Sequence, residues 1–100
     1  MLKVKLPKPI AFEWDKWNID KNWRKHKVSQ KECEEIFFNK LLKIFPDEKH
    51  SKSEARFLAL GRTKKERKLT IIFTIRESKI RTISARDQNK KEKEKYEKSK

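Results

Sequence analysis

The sequence predicts a single α+β domain: two N-terminal helices packed on a small antiparallel sheet, with a short C-terminal helix. Three observations lead there. Apolar residues between positions 14 and 37 recur at helical spacing, those between 57 and 85 alternate with a period of two, and 100 residues suffice for one core between two packed layers. The whole chain, 1–100, is read as one domain. Residues 1–9 form an extended arm, 10–88 the core, and 89–100 a charged C-terminal helix or tail.

Met1 to Pro9 carries two prolines and no helical period, and leads as an extended arm or first strand into Ile10 to Glu13. Asp15 is a good N-cap for a helix from about Lys16 to Lys25. Trp14 and Ile19 then stand at the two positions of a hydrophobic staple, and Ile19 with Trp23 continues an apolar stripe. Ser29 with Glu32 is a capping box, and Cys33, Ile36 and Phe37 fall on one face of a second helix. The two helices are expected to run antiparallel, joined near Lys27.

Leu41 to Phe45 reads as an edge strand, and Pro46 with the polar stretch Asp47 to Ser53 as a loop. From Arg56 the period becomes two. Leu69, Ile71, Phe73 and Ile75 share one face, while Thr70, Ile72, Thr74 and Arg76 share the other. Glu77–Ser78 is the right length for a tight hairpin, although it lacks the Gly or Asn such a turn prefers. Ile80 to Ala85 returns as the partner strand. Asn89 with Glu92 caps a short, solvated C-terminal helix that includes the favourable Glu94–Lys98 spacing.

Apolar residues make up 34% of the chain and charged residues 44%, yet six Phe and three Trp supply a modest core. Lys and Arg number 29 against 15 Asp and Glu, a formal net charge of +14, which exceeds what solubility requires. Such an excess points to a polyanion or an acidic partner. Nucleic acid is the obvious polyanion, because phosphate neutralisation releases counterions and gives strong, salt-dependent binding. The plainer readings are a ribosome-associated protein or simply a Lys-rich surface. Cys33 is alone, so an internal disulfide framework and a cysteine zinc cluster are excluded. No signal-peptide pattern and no apolar run near the ~20 residues of a membrane-spanning helix is seen, and the expected setting is the cytoplasm, without membrane association.

Three motifs together resemble the BrnT family of bacterial and archaeal toxins: FEWDKWNIDKNWRKHKVS at 12–29, EARFLALGR at 54–62, and IRTISAR at 80–86 followed by EKYE at 94–97. The likeness spans roughly residues 10–98. It departs at Lys27, where the family usually has Gly at the turn after the His, and at Trp17, where Lys is usual. Keeping a left-handed turn at Lys27 should cost on the order of 1 kcal/mol. The resemblance implies a RelE-like fold and a ribonuclease toxicity that blocks translation. It also implies a BrnA-like ribbon-helix-helix antitoxin, with promoter DNA engaged only through the complex. Neither a cofactor nor a metal is expected.

Metal-free RNA cleavage needs a base, an acid, and positive charge on the pentavalent phosphorane. Arg62, Arg81 and Arg86 lie in the motifs and are the candidates for that charge, since guanidinium pairs bidentately with phosphate. The structural alternative is ion pairing with Glu54 or Asp87. His26 is the acid–base candidate by its pKa class, with helix C-capping as the alternative. Glu54 is a second possible base, or an ion-pair partner of Arg56. Arg56, Arg76, Lys91 and Lys93 are assigned to RNA phosphates. His50 is read as solvated, Trp14 and Trp23 as core, Trp17 as exposed and available to an antitoxin, and Cys33 as a small buried hydrophobe. Two other functions stay open: a non-catalytic nucleic-acid-binding module, and a gyrase-directed toxin on the same fold.

Overall fold

The computed structural model describes residues 6–47, 49 and 53–98. Its elements run β1 (Phe12–Glu13), α1 (Lys16–His26), α2 (Gln30–Phe38), β2 (Lys43–Pro46), β3 (Phe57–Arg62), β4 (Lys68–Arg76), β5 (Lys79–Asp87) and α3 (Lys90–Lys98). Five strands form one sheet in the order β1-β5-β4-β3-β2. The sheet is mixed rather than antiparallel, because β1 pairs parallel to β5, Phe12 opposite Ile80 and Glu13 opposite Arg81. A two-residue strand is too short to show alternation in a sequence. The arm's residues 1–5 and His50 lie outside the described residues, and the edge strand begins two residues later than expected.

The caps are where the sequence places them. Asp15 Oδ1 accepts the Trp17 N–H at 2.8 Å, and Ser29 and Glu32 exchange both bonds of a capping box. Lys27 adopts φ 55°, ψ 37°, so the left-handed turn is kept although the residue is not glycine. Glu77 and Ser78 both take positive φ, 50° and 61°, as a type I′ hairpin turn requires.

One face of the sheet carries α1 and α2. Ala59, Leu69, Ile71, Phe73, Ile80 and Ala85 bury there with Cys33, Ile36 and Phe37 of α2, and Phe37 meets Phe73 edge-on at 5.0 Å. Gly61 is needed for this contact, since a Cβ would lie 2.7 Å from Ile36 Cγ2.

Helix α1 departs from the apolar stripe read in its sequence. Its one buried residue is Asn22, whereas Trp23 is 50% exposed. The reason lies in β5. Beyond the short pairing with β1, the outer edge of β5 has no strand beside it among the described residues, and the strand bulges at Ile83: Phe73 pairs with Thr82 but Ile72 pairs with Ser84. Backbone groups left without ladder partners must be satisfied otherwise. Asn18 Nδ2 donates to the Thr82 carbonyl at 3.3 Å, and Lys21 Nζ to the Ile83 carbonyl at 3.0 Å. The Asn22 Oδ1 accepts the Ala85 N–H at 3.1 Å. These side chains at i, i+3 and i+4 form the docked face of α1, which turns Trp23 outward.

Helix α3 is not merely solvated. Tyr96 is buried, and α3 lies against β3 on the face opposite α1 and α2. Asn89 and Glu92 form its capping box.

Two outcomes check this account. Asn22→Ala leaves the Ala85 N–H buried without an acceptor and should cost about 2 kcal/mol, whereas Trp23→Ala should cost less than about 1 kcal/mol, both read by urea denaturation. Ser78→Gly removes a side chain from a left-handed position and should stabilise the fold by about 1 kcal/mol, raising Tm by about 4–8 °C.

Candidate functional site

The register of β4 decides where the arginines stand. Arg62 pairs with Lys68, Arg86 with Thr70, and Arg81 with Thr74. Lys68, Thr70 and Thr74 are even-numbered positions of one strand, so all three arginines share the sheet face that α1 and α2 leave uncovered. Simple alternation would put Arg81 and Arg86, five residues apart, on opposite faces. The extra residue of the bulge brings them to the same one.

Each of the three is held by acceptors. Arg81 donates to Glu13 Oε1 at 3.3 Å and to Asp15 Oδ2 at 2.9 Å. Arg86 makes a two-pronged pair with Glu92, at 2.6 and 2.8 Å. Burial pushes the Glu92 carboxyl up, but Arg86 and the Asn89 N–H outweigh it, and the group ends below its ordinary value. Arg62 Nη1 reaches Glu66 at 2.8 Å; its Nε donates to the Tyr96 hydroxyl at 3.4 Å, and the guanidinium lies 5.5 Å from that ring. Tyr96 and Glu92, one helical turn apart on α3, therefore fix two of the three arginines. Beside Arg62 opens a cavity of about 480 Å³ lined by Leu41, Lys43, Arg62, Tyr96 and Glu97.

The other sequence candidates are dispersed. Glu54 pairs with Arg76 at 3.0 Å, not with Arg56, and this pair sits at the end of β4 that carries the hairpin. Arg56 gives its carbonyl to the Asp47 N–H. His26 closes α1, and its carbonyl accepts from Arg67, which also binds Asp87 at the end of β5. Lys91 and Lys93 are exposed on α3. Trp14 is partly buried and donates Nε1 to Glu34 at 2.8 Å; Trp17 is exposed, and burial pushes the Cys33 thiol up to about 12. Among the described residues no group of three His, Cys, Asp or Glu side chains converges as a metal site.

One residue was missed altogether. Arg67 donates to both oxygens of Asp87 (2.7 and 3.2 Å), to Glu32 (3.1 Å), and to the carbonyls of Lys27 (2.8 Å) and His26 (2.9 Å). It thus satisfies the end of α1 and ties the β3–β4 turn to the α1–α2 turn and to β5. Its place in a polar turn gives no periodic signal; the only hint is a Thr63–Arg67 spacing that suits a turn.

The molecule is a small basic α+β domain with Arg62, Arg81 and Arg86 on one sheet face. A family model described as the ribonuclease toxin BrnT of type II toxin-antitoxin systems matches residues 14–92. The chain belongs to that family of ribonuclease toxins. The crystal structure of the Brucella abortus ribonuclease toxin BrnT is similar, with TM-score 0.63 and 23% identity over 81% of this chain and 99% of that one. No curated protein matches the chain.

Arg67 generates a pH prediction. Hydrogen bonds from Arg67 hold Asp87 below its ordinary 3.8; for Glu32, partial burial acts upward, but the Ser29 N–H and Arg67 prevail and it falls below 4.5. Carboxyls depressed in the folded state contribute stability that is complete above about pH 4.5 and is lost as pH falls through the folded values. Arg67→Ala should cost about 2–3 kcal/mol at pH 7. Asp87 contributes little of this, because its side chain is 63% exposed and screened. The gap between parent and variant should narrow below pH 4 without closing, since the two carbonyl bonds do not titrate; denaturation at stepped pH reads it.

Proposed function

We propose that this toxin cleaves RNA without a metal ion on the sheet face that carries α3, with Arg62, Arg81 and Arg86 binding phosphate and stabilising the phosphorane charge. The observation that carries the reading is the shared face of the three arginines. Their carboxylate and phenol partners keep the guanidiniums in place beforehand, so that little ordering remains to be done when phosphate arrives. His26, at the Arg86 end of β5, is the acid–base candidate of this reading. Glu54, engaged by Arg76 at the other end, is the weaker one. Arg56, Arg76, Lys91 and Lys93 add sequence-independent attraction to the RNA backbone.

The family's type II character implies an antitoxin. In this reading it is a BrnA-like ribbon-helix-helix protein that neutralises the toxin and carries the complex to promoter DNA. Translation in the cytoplasm is the target. The RelE-like description of the fold belongs to the same reading; among the described residues, no helix is long and apolar enough to cross a membrane.

Cleavage of a labelled RNA by purified protein tests this. Arg81→Ala and Arg86→Ala should each lose about 10²–10³ in rate, and the Lys variants should regain part of it, because charge returns without the planar fork. Arg81→Ala also releases Asp15, the N-cap of α1, and should melt slightly earlier, so Arg81→Lys is the cleaner comparison. EDTA should leave the rate unchanged. Cleavage at the parental rate by both alanine variants contradicts the assignment.

A further inference from the structure

The polar docking of α1 has a consequence on its other side. With Asn18, Lys21 and Asn22 turned to β5, the outward face carries Trp17, Asp20 and Trp23 at i, i+3 and i+6, a single ridge on the helix surface. Trp17 is 66% exposed and Trp23 50%. Lys16, Arg24 and Lys27 are exposed along the same face, and Lys27 Nζ lies 5.3 Å from the Trp23 ring. Asp20, between the two indoles, has no ion pair among the described residues in a chain of +14 formal charge.

We propose that this ridge is the docking surface for a helical segment of the antitoxin, one with an apolar groove for the two indoles, acidic residues facing Lys16, Arg24 and Lys27, and a Lys or Arg opposite Asp20. The proposal rests on the antitoxin reading above, and not on where RNA is cut. Exposed tryptophans flanked by charge are the residue types that dominate protein interfaces. One feature favours a protein over an RNA strand. Asp20 stands where a phosphodiester backbone would pass, and a carboxylate repels it, whereas a protein supplies the complementary cation. A toxin docked through this ridge keeps the arginine face free for a second segment of the same antitoxin, linked in one chain.

The test is a binding titration with the purified full-length antitoxin encoded beside this chain's gene. Trp17→Ala and Trp23→Ala should each weaken the complex on the order of 30-fold, the double variant further, and Asp20→Lys should weaken it as well. Because these side chains are exposed, the variants should melt close to the parent, and RNA cleavage by the free toxin should remain parental. Unchanged antitoxin affinity in the double variant overturns the proposal, as does a parent that forms no complex. Loss of RNA binding with intact antitoxin affinity also overturns it and makes the ridge an RNA-stacking platform. Failure of the ribonuclease reading shows separately, as a parent that binds antitoxin but cleaves nothing.

Discussion

The arrangement of this molecule depends on the bulge at Ile83 and on the three side chains of α1 that satisfy it. An extra residue in a strand costs ladder hydrogen bonds, and the unpaired groups need other partners. Asn18, Lys21 and Asn22 supply them from a helix whose inner face would ordinarily be apolar. In return the bulge reverses the alternation of β5, so that Ile80 and Ala85 both bury on the helix side while Arg81 and Arg86 both emerge on the other. Core and candidate site follow from the same irregularity. The outward turn of Trp17 and Trp23 follows from it too.

Around this seam the charge of the chain is managed by pairing rather than dispersal. Arg67 binds two carboxylates and two helix-end carbonyls, locking α1, the β3–β4 turn and the end of β5 together. Glu13, Asp15 and Glu92 orient the three arginines, and Asp15 does so while capping α1. Such partly exposed pairs contribute little net stability. Their value here is geometric: each fixes a fork that would otherwise sample many rotamers.

What the sequence revealed was local chemistry. Both capping boxes, the Asp15 cap, the left-handed turn at Lys27, the Glu77–Ser78 hairpin and the alternation of β4 depend on a few neighbouring residues, and all were legible. What stayed hidden depends on distant partners. Trp23 reads as core from Ile19 spacing because apolar periodicity is the expected reason for a helix to dock, and no local signal announces a polar seam. β1 is too short for a period, and its parallel pairing is set by β5, 68 residues on. The candidate arginines were named from motifs, but their common face could not be deduced, since counting by twos across 81 and 86 gives the opposite answer. Arg67 and the pairing of Glu92 with Arg86 were passed over for the same reason: these partners are assembled only by the fold.

The claim on which the rest turns is that Arg62, Arg81 and Arg86 form one phosphate-binding face. Side-chain ¹H–¹⁵Nε resonances of the arginines, followed while a 2′-O-methylated, uncleavable RNA is titrated in, examine it directly. The account predicts that these three signals move together and saturate at one RNA concentration, while Arg67, enclosed by Asp87, Glu32 and two carbonyls, stays still. Movement of Arg62 and Arg86 with Arg81 unchanged, or saturation at clearly different concentrations, would contradict a single face.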